Sequence, residues 1–198
     1  MLDLSHNNLT VFPKELSSLT NLSQLDMSHN ALTTLPSALS RMMVLTQLSL
    51  AYNKISAFDP NWSFGLAPML DLDLSHNELP DAAFAGVAMA AALVLRKLNL
   101  SHNKLTTVPV SVCRSCRELR SLHLDHNEIT SASDELAKLV NLRYLTLSHN
   151  KLQFMPTQIS YLNNLLGLSL AHNSLSAPPA LRATLRVVHL EGNPYQGA

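Results

Sequence analysis

Residues 95–105 read LRKLNLSHNKL, and close copies return at residues 119–129 as LRSLHLDHNEI and at residues 142–152 as LRYLTLSHNKL. The asparagine of this string recurs along almost the whole chain, at Asn7, Asn30, Asn53, Asn77, Asn103, Asn127, Asn150, Asn173 and Asn193. The intervals between these asparagines are 20 to 26 residues. Such a period is typical of a solenoid, in which each repeat buries its apolar face only against its neighbours. Residues 1–198 are therefore predicted to form one elongated domain.

The letters around each asparagine predict one short strand per repeat. Alternate leucines, such as Leu122 and Leu124, have the period of two expected of a strand with one buried face. The asparagine after the strand is expected to turn inward and pair backbone groups that the turn would otherwise bury unsatisfied. In five repeats a proline follows six residues later and predicts a short helical or 3₁₀ turn on the opposite wall. These are Pro13, Pro36, Pro109, Pro156 and Pro179.

Aligned on the asparagines, the copies resemble the leucine-rich repeat, L-x-x-L-x-L-x-x-N-x-L. The form with the proline resembles the 23-residue class of cytosolic Ras-group scaffolds and related signalling adaptors. The resemblance implies an α/β solenoid, a horseshoe-shaped arc of about nine repeats, which we call rungs. A parallel sheet would line its concave face, and short helical, 3₁₀ or loop segments its convex face. It also implies binding of a protein or peptide through the concave face.

Three stretches depart from the regular pattern. Trp62 and Phe64 enter the convex wall of the third repeat, either to fill the core or to form a second contact surface. In the fourth repeat, Asp81 is expected to cap an alanine-rich α-helix that continues to residue 95. The chain starts inside a strand at Met1, which predicts a missing N-terminal cap. Missing residues, a partner or a second copy would then cover the first rung.

Composition excludes several classes of function. Lys plus Arg and Asp plus Glu number 14 each, so no global field attracts nucleic acid or an anionic membrane surface. The longest apolar run, residues 82–95, is 14 residues long, whereas a membrane span needs about 20. Cys113 and Cys116 are the only cysteines and cannot build disulfide-stapled caps. Cysteine usage therefore predicts a cytoplasmic, intracellular protein.

Neither the histidines nor the cysteines are predicted to be a metal or catalytic site. Seven histidines directly precede a ladder asparagine: His6, His29, His76, His102, His126, His149 and His172. They should stack along one edge, where two imidazoles could share a Zn²⁺, but a copied Ser-His-Asn turn explains them better. Zinc needs more ligands than Cys113 and Cys116 provide. Cys116 matches the position of Leu19 in the first repeat, which is expected to point into the core, so Cys116 is expected in the core and Cys113 at the surface. No cofactor and no catalytic residue is expected.

The candidate binding residues are the strand side chains that flank the buried leucines. Because a strand alternates faces, these side chains should point out from the concave face. Tyr and Arg are frequent hot-spot residues, so Tyr144 with Arg120 and Arg143 is the predicted anchor. The remaining candidates are Gln24, Asp26, Gln47, Asp71, Asp73, Lys97, Asn99, His123 and Asp125.

The sequence therefore predicts a non-enzymatic scaffold in intracellular signalling that binds a protein or peptide. One alternative is the recognition domain of a larger signalling enzyme, such as a phosphatase, kinase or ubiquitin ligase. Another is a structural component of a large assembly such as an axoneme. The repeat pattern does not distinguish these three hypotheses, because function in such folds resides in the variable surface residues.

Overall fold

The structure of the protein is a computed structural model that describes residues 1–35, 37–59, 68–85 and 94–197. Its strands are β1 (Leu2–Asp3), β2 (Gln24–Asp26), β3 (Thr34–Leu35), β4 (Gln47–Ser49), β5 (Ala57–Phe58), β6 (Asp71–Asp73), β7 (Lys97–Asn99), β8 (Ser121–His123), β9 (Tyr144–Thr146), β10 (Gly167–Ser169) and β11 (Val187–His189). Nine of them form one sheet in the order β1-β2-β4-β6-β7-β8-β9-β10-β11. Every neighbouring pair is parallel, so the predicted sheet of the concave face is confirmed.

The register of this sheet stacks the core leucines directly on one another. Leu98 pairs with Leu72 on one side and with Leu122 on the other, and each is the buried middle residue of its strand. The next apolar residue along the chain, such as Leu100 or Leu124, is also fully buried. Each rung therefore buries its leucines against the rungs before and after it, as the sequence period predicts.

Short helical turns cover the convex side of this core. In the described parts of the chain, the 3₁₀ turns are Lys14–Ser18, Ser37–Arg41, Asp81–Phe84, Asp134–Lys138, Thr157–Tyr161 and Pro194–Gly197, and one α-helix, α1, spans Val110–Ser115. The rung of α1 contains one residue more than the 23-residue rung that follows it. Six α-helical residues span about 9 Å and five 3₁₀ residues about 10 Å, so the α-helix absorbs the extra residue without lengthening the rung. A second small sheet, β3 with β5, adds to this wall.

Several expectations for the convex side are wrong. No helix follows Pro179 between residues 177 and 186. Leu19 is 42% exposed instead of buried, whereas the matching Cys116 is fully buried. Asp81 does not cap its own turn. Its carboxylate instead accepts bonds from Thr106 of the next rung, through both the hydroxyl and, at 3.0 Å, the backbone N–H.

Some predicted features lie outside the described residues. These are Pro36, Trp62, Phe64 and residues 86–93 of the expected alanine-rich helix. The described start of that segment, Asp81–Phe84, is a 3₁₀ turn. Within the described parts of the chain, no helix is both long and apolar enough to cross a membrane.

The asparagines form the predicted ladder of buried hydrogen bonds. In a typical rung the amide oxygen of Asn127 accepts the N–H of Leu105 from the previous rung at 3.1 Å. Its amide nitrogen donates to the carbonyl of Leu100, also in the previous rung, at 3.0 Å, and to Leu124 of its own rung at 3.1 Å. Each asparagine from Asn30 to Asn193 therefore ties two rungs together. Asn7, the first, is exposed and its amide nitrogen bonds only carbonyls of its own rung.

Candidate functional site

The concave face consists of the two outward positions of each strand of the nine-stranded sheet. In β2, β6 and β8 the outer residues are half-buried and the central leucine is buried, which is the alternation expected of a half-covered strand. All strand residues among the twelve predicted binding residues lie on this face. Arg120 and Arg143 lie one residue before their strands, at its edge, and Asp125 lies two residues after β8.

The structure brings half of the predicted residues together in one shallow groove at the N-terminal end of the sheet. This acidic groove has a volume of about 240 Å³. Its polar lining contains Gln24, Asp26, Gln47, Asp71, Asp73 and Lys97. Lys97 contacts Asp71 at 3.4 Å, but both side chains are exposed, so the pair contributes little to stability. The side chains that line the groove therefore carry a net negative charge, since three carboxylates face one lysine.

The carboxylates of this groove also have a structural role that the sequence pattern did not reveal. Asp26 accepts the backbone N–H of Ser28 at 2.8 Å, and Asp73 accepts that of Ser75 at 2.9 Å. Asn99 makes the equivalent bond to Ser101 at 3.1 Å. A residue with a side-chain oxygen at the end of the strand thus stabilises the turn that leads to the buried asparagine.

The middle of the concave face contains a hydrogen-bonded cluster instead of free polar groups. Asp125 accepts the N–H of Ser148 at 2.8 Å and the hydroxyl of Thr146, both from the following rung. His123 lies 3.2 Å from the same hydroxyl of Thr146. Burial lowers the pKa of His123, although nearby Asp125 acts to raise it. Thr146 was not among the predicted site residues, although its register beside His123 in the sheet could have indicated it.

Tyr144 is positioned by the glycine of the next strand. The tyrosine pairs with Gly167 across β9 and β10. A β-carbon at Gly167 would lie only 2.9 Å from Cδ1 of Tyr144, so the ring lies over the space that a side chain would fill. Gly167 is buried as a result, while Tyr144 stays 48% exposed. The predicted anchor is therefore a flat apolar ring held against the sheet, and Gly167 is a positioning residue that the sequence did not reveal.

Beside Tyr144 three arginines occupy consecutive rungs. The N–H of Arg120 donates to the carbonyl of Arg96 at 2.8 Å, and the N–H of Arg143 donates to that of Arg120 at 2.8 Å. We call these three residues the arginine column. Arg96 was not predicted as a site residue, but it stands one residue before its strand, as Arg120 and Arg143 do. Among the described residues, none of the three guanidinium groups forms an ion pair or a hydrogen bond.

The seven ladder histidines and Tyr52 form a continuous stack of eight rings, which we call the ring stack. It runs from His6 to His172, with neighbouring ring centroids 3.9 to 4.4 Å apart and interplanar angles of 9 to 17°. All eight residues have a left-handed backbone, with φ between 52 and 55°. The stack ends at Gly192, where a β-carbon would lie 2.5 Å from Nδ1 of His172.

This geometry argues against a shared zinc ion between two imidazoles. A metal bonds to imidazole nitrogen in the plane of the ring, and nearly parallel stacked planes do not converge on one point. Among the described residues, no group of three or more histidine, cysteine or acidic side chains is arranged to hold a metal.

The cysteine pair corrects one prediction. Cys116 is buried as expected, but Cys113 is also buried, with 1% of its surface exposed. Its side chain lies on α1, and an α-helix turns the residue three positions before Cys116 toward the same face. Burial raises the pKa of both thiols to about 12, so both stay protonated and unreactive near neutral pH.

Comparison with known proteins agrees with the fold. Residues 94–152 match the family model for the leucine rich repeat, and residues 1–40 match the model for two copies of leucine rich repeats. The chain is a leucine-rich repeat protein. No curated protein matches it at a significant level.

Solved structures with the same fold come from varied proteins. A leucine-rich repeat protein of Leptospira interrogans is 31% identical over 98% of this chain and 55% of its own, with a TM-score of 0.70. A chain of the Drosophila Toll–Spätzle complex is 26% identical over 96% of this chain and 26% of its own, with a TM-score of 0.81. A chain of the octameric complex of latrophilin 3, Unc5D and FLRT2 is 27% identical, covering 96% and 60%, with a TM-score of 0.77. This chain thus spans less than two thirds of each of these proteins.

Proposed function

We propose that this chain is a non-enzymatic scaffold that binds a protein or peptide across its concave face, in intracellular signalling. The observation that carries the proposal is Tyr144, a half-exposed ring that packs against Gly167 on β9, the seventh strand of the sheet. An exposed, positioned tyrosine supplies contact area at a low entropic cost on binding. Two structural neighbours, described as the Toll–Spätzle complex and the latrophilin 3–Unc5D–FLRT2 complex, support a role in protein assembly.

The size of the concave face fits such a partner. Nine strands leave eight intervals of about 4.8 Å, so the face is about 38 Å long. A standard protein interface buries about 800 Å² on each partner, which a face of this length can provide. The equal numbers of basic and acidic side chains, 14 each, favour a protein over nucleic acid as the partner.

Two free thiols in the core support the intracellular setting that we propose. Cys113 and Cys116 are both buried, and neither is in a disulfide. Proteins of reducing compartments commonly keep free thiols, whereas secreted repeat domains usually carry disulfides. A tagged full-length protein that fractionates with the secreted material instead of the cytosol would contradict this part of the proposal.

The concave-face proposal is tested by affinity capture from cell extract with two matched variants. Tyr144→Ala removes the predicted anchor, and Tyr161→Ala removes an equally large ring that is 67% exposed on the convex turn Thr157–Tyr161. We expect Tyr144→Ala to reduce the specifically captured proteins at least tenfold, as expected for a hot-spot residue, and Tyr161→Ala to leave them unchanged.

A third variant tests the acidic groove without disturbing the turn. Asp73→Asn removes the charge but keeps an oxygen that can accept the N–H of Ser75, as Asn99 does for Ser101. Weaker capture with Asp73→Asn would place the groove within the interface. If Tyr161→Ala abolishes capture while Tyr144→Ala and Asp73→Asn do not, the partner binds the convex side and the proposal is wrong.

A further inference from the structure

The arginine column places three like charges on neighbouring rungs, and none of them forms an ion pair among the described residues. Several other rungs are joined by ion pairs between opposite charges. Lys104 contacts Glu78 at 2.7 Å, Lys151 contacts Glu128 at 2.8 Å and Arg114 contacts Glu135 at 3.1 Å. The arginine column instead repeats the same sign on three adjacent rungs. Like charges placed side by side in a sheet are destabilising.

No carboxylate of the described chain compensates for this repulsion. The closest acidic residue in sequence, Glu118, is 3.4 Å from the side-chain amide of Asn141 and is not ion-paired with an arginine. Asp71 contacts Lys97, and Asp125 accepts bonds from Thr146 and Ser148. The guanidinium groups of the column therefore remain available to an external anion. Each offers a planar set of donors that matches a carboxylate with two parallel hydrogen bonds.

The surroundings of the column favour an acidic peptide over a long polyanion. Residues 1–99 hold 5 basic and 8 acidic side chains, a net charge of −3, whereas residues 100–198 hold 9 and 6, a net charge of +3. A nucleic acid lying along the concave face would reach the acidic groove and be repelled there. A short acidic segment can occupy the column and Tyr144 without crossing the groove.

The spacing of the column also suits an extended peptide. Three rungs span two intervals of about 4.8 Å, or about 10 Å. Residues on the same side of an extended strand are about 6.8 Å apart, so two or three carboxylates of one segment fit within reach of three flexible arginines. Tyr144, next to Arg143 in sequence, gives the same segment an apolar surface to pack on.

We propose that the arginine column docks a segment rich in Asp and Glu from the protein partner, with the ring of Tyr144 packing against that segment. This inference rests on the proposed binding through the concave face and specifies the chemistry of the partner. Electrostatic complementarity of this kind sets the association rate and the choice of partner more than the final affinity.

The test begins with a random dodecamer peptide library displayed on phage and selected on the immobilised protein. We expect the selected peptides to contain more Asp and Glu than the unselected library. A synthetic peptide of this set should bind Arg120→Ala/Arg143→Ala about tenfold more weakly than the unchanged protein, and its Glu→Gln form should also bind weakly. Binding of the acidic peptide to the unchanged protein should weaken as the salt concentration rises from about 50 to 300 mM.

The matched control removes the same number of arginines from the convex side. Arg114 pairs with Glu135, and Arg182 donates to the carbonyl of Ser160. The double variant Arg114→Ala/Arg182→Ala should bind the peptide within twofold of the unchanged protein. Circular dichroism of both double variants checks that each is folded.

The outcomes separate this inference from the proposed function. If the selected peptides contain no more Asp and Glu than the unselected library but lose binding to Tyr144→Ala, the acidic partner is wrong. The concave face would remain the binding surface. Peptides that bind both Tyr144→Ala and Arg120→Ala/Arg143→Ala as tightly as the unchanged protein would contradict both. A phosphoserine peptide that binds more than tenfold tighter than its Glu counterpart would replace the acidic segment by a phosphorylated one. If both double variants weaken binding of the peptide equally, the effect comes from the net charge of the protein, and the arginine column is not a binding site.

Discussion

His126 and Asn127 are neighbours in sequence, yet they belong to two columns with opposite physical roles. The asparagine is buried and forms hydrogen bonds to the previous rung and its own. The histidine is exposed, and its ring stacks on the rings of His102 and His149. The ladder therefore satisfies buried backbone groups, whereas the ring stack adds contacts outside the core.

This difference explains which column tolerates variation. All nine ladder positions are asparagine, because only its amide offers an acceptor and two donors in the required arrangement. The ring stack accepts a tyrosine at position 52 and ends with a glycine at position 192. A flat ring or no ring suffices there, provided that the residue adopts the left-handed backbone. The predictions below test this contrast.

The largest effect is expected from a buried member of the ladder. Asn127→Ala leaves the buried N–H of Leu105 without its acceptor and removes donors to two carbonyls. We expect a loss of about 1–3 kcal/mol in the free energy of unfolding, measured by urea denaturation. Asn7→Ala is the control, because Asn7 is exposed and bonds only its own rung, and it should change stability by less than about 0.5 kcal/mol. Equal losses would show that the ladder does not act by joining rungs.

The end of the ring stack should be the next most sensitive position. Gly192→Ala places a side chain at φ 72° and brings its β-carbon 2.5 Å from the ring of His172. We expect a loss of about 1–2 kcal/mol in thermal or urea unfolding. The same change in a His172→Ala background should cost less, because only the backbone strain remains. An identical cost in both backgrounds would show that the ring does not pack on Gly192.

The sequence predicted the features that repeat, because a repeated residue reports the same environment nine times. The ladder, the strands and the outward residues such as Asp73 and Tyr144 follow from period alone. Features that depend on a single neighbouring residue could not be predicted from the period. Gly167 is a positioning residue only because Tyr144 precedes it across the sheet, and Cys113 is buried only because its rung forms α1 instead of a 3₁₀ turn.

Within the ring stack, a single ring should matter less than a ladder asparagine. His126→Asn removes two ring contacts but keeps a residue that tolerates a left-handed backbone. We expect a loss of about 1 kcal/mol, since an aromatic pair contributes about 0.5–1.5 kcal/mol and these rings are partly exposed. His126→Tyr should keep stability, as Tyr52 stacks on His76 at 3.9 Å. If tyrosine proves as damaging as asparagine, the imidazole itself is required and simple stacking is insufficient.

The smallest expected effect is a dependence of stability on pH that belongs to the ring stack. Burial, followed by repulsion from neighbouring imidazoles, lowers the pKa of His102 and His149. Burial also lowers that of His76, although Asp73 acts to raise it. Near and below pH 6.5, the ordinary pKa of histidine, the unfolded chain therefore binds more protons than the folded chain. The stability contributed by the neutral stack is complete above that pH and is lost as the pH falls through the lowered pKa values.

The window between pH 7.5 and 5 contains this contribution together with that of His123, whose pKa is also lowered by burial. Glu78, Glu128 and Glu135 have pKa values below their usual range because lysine and arginine partners bind them, so they lose their charge only at lower pH. We expect the Tm to fall from pH 7.5 to 5, and to fall less in His102→Asn/His149→Asn. A control with His189→Asn, outside the ring stack, should keep the full decrease. If the Tm of the double variant and that of the control fall by the same number of degrees, the decrease does not come from the ring stack. The rings would then contribute contacts but no dependence of stability on pH.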